Sequence, residues 1–492
     1  MATLSDASVA ARAKYEPVIG LEVHVQLLTA TKIFCSCSTR FGNPPNTNVC
    51  PVCLGLPGAL PVLNKRAVEF ATLAAIALNC RINETSIFAR KNYFYPDLPK
   101  GYQISQYDKP LAEFGHIEIK SASGPKKIGI TRVHLEEDAG KSLHEGFPDA
   151  GEKTAIDLNR SGVPLIEIVS EPDIANPDEA YEYLTRLKEI ILYTGVSDCN
   201  MEEGSLRCDA NISVRPRGQK EFGTKAEIKN VNSFRFIREA LVYEIERQMD
   251  VIEGGGKVKQ ETRLYNSLEG KTYSMRSKEQ AHDYRYFPEP DLLPLVVDEK
   301  WQAEIRKELP ELPEARRKRM VGDYGITEQD AHTLTLTRAM ADQFEEAAKA
   351  AKNPKRVANL VQSELMGRLK AKGLEIEQSP ISMKGIAASA DLVESGTISG
   401  KMLKDLFDLC FERGKDFPEV YEEEGRPQQS SDTSALEKIA DEIIAANPKQ
   451  VEQYRAGKKT VIGFFVGQVM KASKGQANPQ LVNEVLTKKL EG

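Results

Sequence analysis

The sequence predicts an α+β fold, with a catalytic domain built on an antiparallel sheet followed by an all-α middle domain and a small helical tail domain. Up to about Asp298 the chain alternates polar and apolar residues in short segments separated by Gly and Pro, which is typical of half-buried strands. Beyond that residue, apolar side chains recur every three to four positions, as they do in helices. The 492 residues suit about three domains of ~150 residues each.

Composition and the N-terminal segment indicate an ordinary globular protein. Residues 1–14 are rich in Ala and Ser without a continuous apolar stretch, so we expect a disordered N-terminal extension rather than a secretory signal. The longest apolar runs, such as Leu292–Val297, are far shorter than the ~18 residues of a membrane span. Hydrophobic residues make up 41% and charged residues 28% of the chain, as in globular proteins generally. We therefore expect a cytoplasmic protein that does not enter the membrane.

Five alternating segments of the catalytic domain carry ionisable side chains. Because side chains two positions apart on a strand lie ~6–7 Å apart on one face, neighbouring members of this set can reach a shared ligand. The set consists of Glu22 and His24 in Val18–Leu27, Glu136 and Glu137 in Arg132–Glu137, Glu167 in Leu165–Val169, Arg207 and Asp209 in Arg207–Val214, and Lys225, Glu227 and Lys229 in Lys225–Lys229.

These carboxylates suit hard cations such as Mg²⁺, which prefer oxygen ligands together with substrate phosphates. The basic members can neutralise phosphate oxygens and a developing transition-state charge. The set therefore indicates phosphoryl transfer from ATP, a reaction catalysed mainly by positioning and electrostatics. For any single strand, a solvated polar face explains the pattern as well, but the combination of so many acids with a histidine favours catalysis.

The sequence carries no P-loop that would hold the nucleotide. Gly140-Lys141-Ser142 ends like one, but Leu135 stands where the motif requires its first glycine. ATP is therefore expected to lie on the sheet.

Helices are predicted inside the catalytic domain and throughout the rest of the chain. Pro177–Tyr193 opens with Pro-Asp-Glu, and negative charge in the first turn suits the helix dipole. Phe234–Ile252 follows Ser233 as its N-cap and precedes three glycines that end it. A linker is expected at Glu422–Ser431. The later predicted helices are Thr337–Lys352, Pro354–Lys372, Gly400–Arg413, Ser434–Ala446 and Pro479–Leu490.

Four of the eight cysteines lie close together, in the order C-x-C, twelve residues, C-x-x-C. They are Cys35, Cys37, Cys50 and Cys53. Two close thiolate pairs on separate turns predict a closed, structural Zn²⁺ site, because four cysteines leave no open position for catalysis. A redox pair or ordinary buried thiols are the alternatives. The remaining cysteines are isolated and expected in the core: Cys80, Cys199, Cys208 and Cys410.

The C-terminal end is basic, although the whole chain has a formal net charge of −6. Residues 447–492 contain eight Lys and Arg against three Glu. The cations around the apolar segment Val461–Met470 suggest contacts with nucleic-acid phosphates, and a solvated face of a small helical bundle is the alternative. The residues predicted to make these contacts are Arg455, Lys458, Lys459, Lys471 and Lys474.

Long sequence blocks cover nearly all of residues 15–298. They are VIGLEVHVQLL at 18–28, CSCSTRFGNPPNTNVCPVCLGLPGALPV at 35–62, RKNYFYPDLPKGYQISQY at 90–107, HLEEDAGKSL at 134–143, DLNRSGVPLIEIVSEPD at 157–173, MEEGSLRCDANISV at 201–214, KAEIKNVNSFR at 225–235 and DYRYFPEPDLLPL at 283–295. Together they resemble the GatB family of the tRNA-dependent amidotransferases. The block GKKTVIGFFVGQVMKASKGQANPQ at 457–480 resembles the tail domain that GatB shares with YqeY-like proteins.

The resemblance implies a glutamine-synthetase-like cradle domain at 15–298 with a zinc-binding insertion at 35–53, a helical domain at 299–414 and a YqeY-like, tRNA-binding tail at 415–492. It also implies an enzyme, a carbon–nitrogen ligase with glutamine as amide donor. ATP phosphorylates the side-chain carboxylate of misacylated Glu-tRNA(Gln) or Asp-tRNA(Asn), and ammonia then displaces phosphate to give Gln-tRNA(Gln) or Asn-tRNA(Asn). An amidase (glutaminase) subunit releases the ammonia, and a small third subunit makes the complex a heterotrimer.

The resemblance also implies roles for single residues. It places one Mg²⁺ site at His24, Glu137 and Glu167 and a second near Glu22, Asp209 and Glu227. From the strand pattern itself, Glu136 and Arg207 are further expected to bind ATP. Lys91 is implied in the gate where ammonia enters, with a solvated loop lysine as the alternative. As fixed positive charges that assist catalysis we expect Lys225 and Lys229, and the four clustered cysteines match the zinc-bearing version of the family.

Two other classes of function remain open at this point. A free-standing glutamine-synthetase-like ligase acting on a small carboxylate needs neither tRNA nor a partner, and the basic tail argues against it. A non-catalytic RNA-binding or assembly protein gains nothing from the clustered acids. The sequence leaves open whether Glu-tRNA(Gln), Asp-tRNA(Asn) or both are substrates.

Overall fold

The computed structural model describes residues 14–275, 284–428, 433–473, 477 and 479–491. The predicted N-terminal extension therefore lies outside the described residues, except for Lys14. The chain divides into two compact units, Met1–Leu312 and Pro313–Gly492. In the described residues every strand belongs to the first unit, and the predicted α+β fold is confirmed.

The strands described in the first unit form one large sheet and three small ones. In chain order they are β1 (Tyr15–Gln26), β2 (Arg81–Ile82), β3 (Thr85–Ser86), β4 (Ala89–Asn92), β5 (Tyr102–Ser105), β6 (Ala112–Ser121), β7 (Gly124–Glu137), β8 (Lys141–Leu143), β9 (Ala155–Asp157), β10 (Pro164–Ser170), β11 (Leu206–Pro216), β12 (Ala226–Lys229), β13 (Thr262–Asn266), β14 (Lys271–Ser274), β15 (Phe287–Pro288) and β16 (Leu295–Val296).

The large sheet has the strand order β14-β13-β12-β11-β1-β10-β7-β6-β2. Its strands pair antiparallel except for β12 and β13, which are parallel. β1 therefore lies in the middle of the sheet, between β10 and β11. Its apolar residues of one parity, such as Leu21, Val23 and Val25, are fully buried, so the other parity presents the polar face predicted from the sequence.

The described residues of the first unit form four α-helices: α1 (Lys65–Ala77), α2 (Pro177–Thr194), α3 (Phe234–Glu253) and α4 (Glu299–Arg306). α1 and α2 contact β6, and α3 contacts β11, so the main core lies between these helices and the apolar face of the sheet. The predicted cap of α3 is confirmed, since the Ser233 side chain accepts a hydrogen bond from the Phe236 amide. α2 ends at Gly195 in a left-handed conformation, φ +72°, which glycine adopts without strain.

A small sheet of order β15-β4-β5 adjoins the end of β7. The Ser105 hydroxyl donates to the Glu136 carboxylate at 3.1 Å, and Gln103 Nε2 donates to the Glu137 carbonyl at 2.7 Å. These bonds hold β5, and through it β4 with Lys91, beside the polar face of the large sheet.

The second unit is helical in its described residues. Its α-helices are α5 (Pro313–Tyr324), α6 (Glu328–Leu334), α7 (Arg338–Ala350), α8 (Pro354–Leu360), α9 (Met366–Lys372), α10 (Met383–Glu394), α11 (Gly400–Arg413), α12 (Phe417–Glu423), α13 (Thr433–Ala446), α14 (Pro448–Arg455), α15 (Ile462–Ala472) and α16 (Pro479–Glu491). The predicted continuous helix Pro354–Lys372 is interrupted by a π-helical turn at Val361–Leu365. None of the helices in the described ranges has the length and apolar character of a transmembrane segment.

Two separate cores stabilise the second unit. One extends from Met320 to Val420, and the other, from Leu436 to Leu490, belongs to the last helices. The predicted linker Glu422–Ser431 begins two residues too early, because α12 continues to Glu423, and its last residues, 429–431, lie outside the described part. Ile305 of α4 is buried in the core of the first unit, and the chain divides after Leu312. The three-domain boundaries at 298 and 414 stay a prediction.

Candidate active site

Four adjacent strands place ionisable residues in one row across the polar face. His24 of β1 lies opposite Arg207 of β11 on one side and Glu167 of β10 on the other. Glu167 in turn lies opposite His134 of β7. Because residues directly opposite each other in paired strands point to the same face, the row predicted by alternation is assembled by the register.

The centre of this face is an acidic cluster formed by Glu22, His24, His134, Glu136 and Glu167. His24 Nε2 lies 3.4 Å from Glu167 Oε2, 3.6 Å from Glu22 Oε1 and 3.9 Å from Glu136 Oε1. His134 Nε2 lies 3.5 Å from Glu136 Oε2 and 3.6 Å from Glu167 Oε2. Glu167 is thus shared by both histidines.

The cluster contains two overlapping groups that fit divalent ions, namely Glu22, His24 and Glu167, and His134, Glu136 and Glu167. Within each group the ligand atoms lie within 4.8 Å of one another. Ligands on opposite sides of Mg²⁺ lie about 4.2 Å apart at its usual bond length. Small side-chain movements therefore suffice to close either group around an ion.

Charge in the cluster favours a cation. Glu136 and Glu167 are 2% and 5% exposed, and buried carboxylates need a counter-charge. Burial lowers the pKa of His24, but its hydrogen bond to Glu167 and the surrounding carboxylates outweigh burial and raise the pKa to about 9. Burial and the charge of Glu167 raise the pKa of Glu22. The neighbouring carboxylates contribute to both shifts, and a divalent ion would stabilise them in their charged form.

Three buried polar atoms on this face have no hydrogen-bond partner in the described residues: Arg132 Nε, His134 Nδ1 and Arg207 Nε. Most buried polar atoms in native proteins are hydrogen-bonded. Arg132 also approaches Glu167, at 3.6 Å. Two free guanidinium donors beside an acidic cluster suit a ligand that carries both a metal and phosphate oxygens.

Lys91 of β4 faces the acidic cluster from the small sheet. Burial lowers the pKa of Lys91, but the nearby charges of Glu136 and Glu167 outweigh burial, so the pKa is raised. Its ammonium lies 5.1 Å from the ring centre of Tyr284 and 5.9 Å from that of Tyr93. The lysine therefore sits in an aromatic surrounding next to the cluster.

Lys229 lies between Asp209 and Glu227, two of the three carboxylates predicted for the second magnesium site. Its ammonium lies 2.7 Å from Asp209 Oδ2 and 3.5 Å from Glu227 Oε1. Asp209 is the register partner of Glu22, which connects this group to the acidic cluster. Lys225 lies exposed just before β12, away from these contacts.

Glu137 lies outside the acidic cluster, which differs from its predicted grouping with His24 and Glu167. Successive strand residues point to opposite faces, and Glu136 is the one that meets the cluster. The Glu137 carboxylate instead accepts hydrogen bonds from the Lys100 ammonium and from the Ile104 amide at 2.9 Å. Sequence reasoning also missed His134 and Arg132, although both share the parity of Glu136 in the same segment.

A further residue missed from the sequence, Asp138, positions Arg207. Asp138 is 3% exposed, and its Oδ2 accepts hydrogen bonds at 2.7 Å from both Arg207 and Gln26. Burial raises the pKa of Asp138, but the charges of Arg207 and Arg160 outweigh burial and lower it. The buried, ionised carboxylate therefore holds the Arg207 guanidinium at the edge of the polar face.

The structure brings the four predicted zinc ligands together. Cys53 Sγ lies 3.6 Å from Cys35 Sγ and 3.7 Å from Cys50 Sγ, and with Cys37 the four sulfurs lie within 4.8 Å of one another. Four sulfurs bound tetrahedrally at ~2.3 Å from Zn²⁺ are about 3.8 Å apart. The cluster therefore fits a structural zinc ion.

Comparison with known proteins agrees with this geometry. Residues 17–303 match the family model described as the GatB/GatE catalytic domain, a match that contains the whole polar face. The chain belongs to the GatB family. Residues 342–490 match a second family model, described as the GatB domain.

Relatives of this GatB family member extend over nearly its whole length. A protein of Carboxydothermus hydrogenoformans is 59% identical over 97% of this chain and 99% of its own length. One of Geobacter sulfurreducens is 57% identical over 97% of this chain and 100% of its own length. A third, from Syntrophotalea carbinolica, is 56% identical over 97% of this chain and 99% of its own length. All three are named as the B subunit of an aspartyl/glutamyl-tRNA(Asn/Gln) amidotransferase.

The predicted tRNA-binding residues of this family member lie in its last helices. Arg455, Lys458, Lys459 and Lys471 are exposed, whereas Lys474 lies outside the described residues. Arg455, Lys458 and Lys459 follow one another at the end of α14 and in the next turn. The ammonium of Lys459 also pairs with Glu491 at 2.9 Å. The exposed cations suit contacts with an anionic ligand.

Replacing Cys53 with Ser is expected to reduce bound zinc from about one ion per chain to nearly none, because the site loses one of its four thiolates. Thermal stability should fall with it, since structural zinc contributes to folding. Atomic absorption after dialysis measures the zinc, with Cys410→Ala, an isolated cysteine, as control. Unchanged zinc content in the Cys53→Ser protein would rule out the four-cysteine site.

Proposed function

We propose that this chain is the component of a tRNA-dependent amidotransferase that uses ATP to phosphorylate the side-chain carboxylate of misacylated Glu-tRNA(Gln) and/or Asp-tRNA(Asn). Ammonia from an amidase partner then converts the activated group to the amide. The observation that carries the proposal is the acidic cluster, in which two histidines and three glutamates lie beside unpaired arginine donors. The relatives' shared name points to the same reaction.

The chemistry explains why such a cluster is needed. A carboxylate is a poor acyl donor because oxide is a poor leaving group, whereas phosphate leaves readily. When bound, Mg²⁺ would neutralise phosphate charge, so that an anionic carboxylate can approach the γ-phosphate of ATP. We assign its binding to Glu22, His24 and Glu167 on one side of the cluster, and to His134 and Glu136 on the other.

Cationic side chains of this chain would complete the site. Arg132 and Arg207 would donate to phosphate oxygens through their free guanidinium atoms. Lys229, between Asp209 and Glu227, would add a fixed positive charge beside Glu22. Asp138 holds Arg207 and Asp209 holds Lys229 in place, and charges fixed in this way are effective in catalysis.

Lys91 is proposed to act where ammonia reaches the activated carboxylate. Its aromatic neighbours Tyr93 and Tyr284 would limit water in this part of the site, and an acyl phosphate needs such shielding because water hydrolyses it.

The proposed reaction also requires partner subunits and a tRNA substrate. We infer a cytoplasmic heterotrimer in which this chain joins an amidase (glutaminase) subunit and a small third subunit. ATP, Mg²⁺ and a structural Zn²⁺ complete the set of cofactors, and the basic C-terminal helices would bind the misacylated tRNA.

Reconstitution tests the function directly. The complex with amidase and small subunits is incubated with glutamine, ATP and Mg²⁺, and with each misacylated tRNA in turn. We expect amidated tRNA from at least one of the two, only when ATP is present. A complex that hydrolyses glutamine but amidates neither tRNA contradicts the proposal, and ATP hydrolysis coupled to a small carboxylate would favour a free-standing ligase.

Replacing Asp138 with Asn is expected to raise KM for ATP about tenfold with a smaller change in kcat, because Arg207 loses a buried charged partner worth about 1–3 kcal/mol. Initial rates at varied ATP concentration measure the split. Asp108→Asn, at an exposed aspartate, is the control. An unchanged KM for ATP would mean that Arg207 does not contact the nucleotide.

A further inference from the structure

Lys32 is a fully buried lysine next to the four-cysteine site. Only 1% of its surface is exposed, although lysine is among the residues least often buried in proteins. The Lys32 backbone is hydrogen-bonded to the cysteine loop, because the Lys32 amide donates to the Cys37 carbonyl at 2.9 Å. The side chain therefore runs from the metal-binding loop into the interior.

The Lys32 ammonium contacts a sulfur and a carbonyl. Nζ lies 3.4 Å from Cys53 Sγ and 3.2 Å from the Leu158 carbonyl oxygen. Within the described residues it forms no ion pair with a carboxylate. Lys100, by contrast, is buried against the Glu137 carboxylate.

Burial of an unpaired ammonium costs several kcal/mol. A neutral Cys53 thiol would not compensate the positive charge of Lys32, whereas a negatively charged thiolate would. A site in which Zn²⁺ is held by four thiolates has a net charge of −2 and is itself costly to bury. Cys53 is the buried member of the four cysteines, so its thiolate and the Lys32 ammonium stabilise each other.

We propose that Lys32 is the counter-charge of the metal site, donating a hydrogen bond from its ammonium to the Cys53 thiolate and reducing the net charge of the zinc tetrathiolate from −2 to −1. Groups outside the ligand set commonly tune metal affinity in this way. Lys32 is thus a positioning residue for the ligands and does not bind the metal. The proposal does not depend on the transamidation reaction.

The same lysine connects the metal site with the segment that supports the active site. A Cβ at Gly162 would lie 3.5 Å from the Lys32 Cδ, so the lysine stem passes directly over this glycine. Gly162 donates from its amide to the Asp138 carbonyl at 2.8 Å and accepts from the Ile33 amide at 2.9 Å. Asp138 is the carboxylate that holds Arg207.

Zinc affinity of two uncharged variants tests the proposal in the full-length chain. Lys32→Met keeps an unbranched apolar stem without the ammonium, and Lys32→Gln keeps a hydrogen-bond donor without the charge. The control is Lys65→Met, because the Lys65 side chain is 75% exposed. Competition with a chromophoric chelator for Zn²⁺ gives the affinity. Both Lys32 variants should bind zinc about 10- to 100-fold more weakly than the unmodified protein, and Lys65→Met should match it.

Thermal unfolding with and without zinc separates this role from simple packing. The rise in Tm on adding zinc should be smaller in Lys32→Met than in the unmodified protein, whereas a packing role lowers both melting temperatures equally. Zinc affinity within about twofold of the unmodified protein in either variant overturns the proposal, since second-sphere groups ordinarily contribute more. An equal loss of Tm in both states overturns it as well.

Discussion

Replacing Glu167 with Gln is expected to lower kcat for ATP-dependent amidation by about a thousandfold, because metal charge stabilisation is worth several kcal/mol. Glu167 contributes to both candidate ion groups and contacts both histidines of the cluster. Gln keeps the size of the side chain and removes its charge. Single-turnover formation of amidated tRNA in the reconstituted complex measures the effect.

The control for this variant is Glu118→Gln, an exposed glutamate of β6. It should amidate at the rate of the unmodified enzyme. Glutamine hydrolysis in the complex and the melting temperature show whether the Glu167→Gln chain folds and assembles. Near-normal amidation by a folded Glu167→Gln complex would remove Glu167 from the assigned ion groups.

Deleting residues 429–492 is expected to weaken tRNA binding about a hundredfold at moderate salt, because several phosphate contacts are lost together. The deleted helices have a core of their own, from Leu436 to Leu490, so the sheet and its acidic cluster should remain folded. Filter binding of tRNA measures the affinity, and glutamine hydrolysis in the complex should persist.

A milder change tests the same surface without deletion. Lys458→Gln combined with Lys459→Gln should reduce the slope of log affinity against log salt by about two, roughly one for each lost phosphate contact. Lys300→Gln, an exposed lysine of α4, is the matched control in the first unit. Unchanged affinity and an unchanged salt slope after the deletion would mean that tRNA binds elsewhere.

The sequence predicted those features that depend on residues close together in the chain. Strand alternation placed Glu22 and His24 on one face because the two-residue period is a property of the strand itself. The spacing of the cysteines likewise predicted their cluster, since the two close pairs are separated by only twelve residues. Ser233 capped its helix as predicted for the same reason.

Long-range pairing explains what the sequence did not provide. The meeting of His24 with both Glu167 and Glu136 depends on the register of three strands, which no single segment encodes. Glu136 and Glu137 look alike in the sequence, yet one meets the cluster and the other pairs with Lys100 from a distant loop. Lys32 carried no signal as a lone lysine, because its burial depends on the loop that contains Leu158.

The central claim is that acidic groups from separate strands hold divalent ions against ATP. Its most direct measurement is anomalous diffraction from crystals of the complex containing Mn²⁺ and a non-hydrolysable ATP analogue. The account predicts Mn²⁺ peaks about 2.0–2.4 Å from ligand atoms of one or both groups, Glu22, His24 and Glu167 or His134, Glu136 and Glu167, with phosphates on the same ions. Ordered nucleotide and Mn²⁺ bound away from this cluster would contradict it.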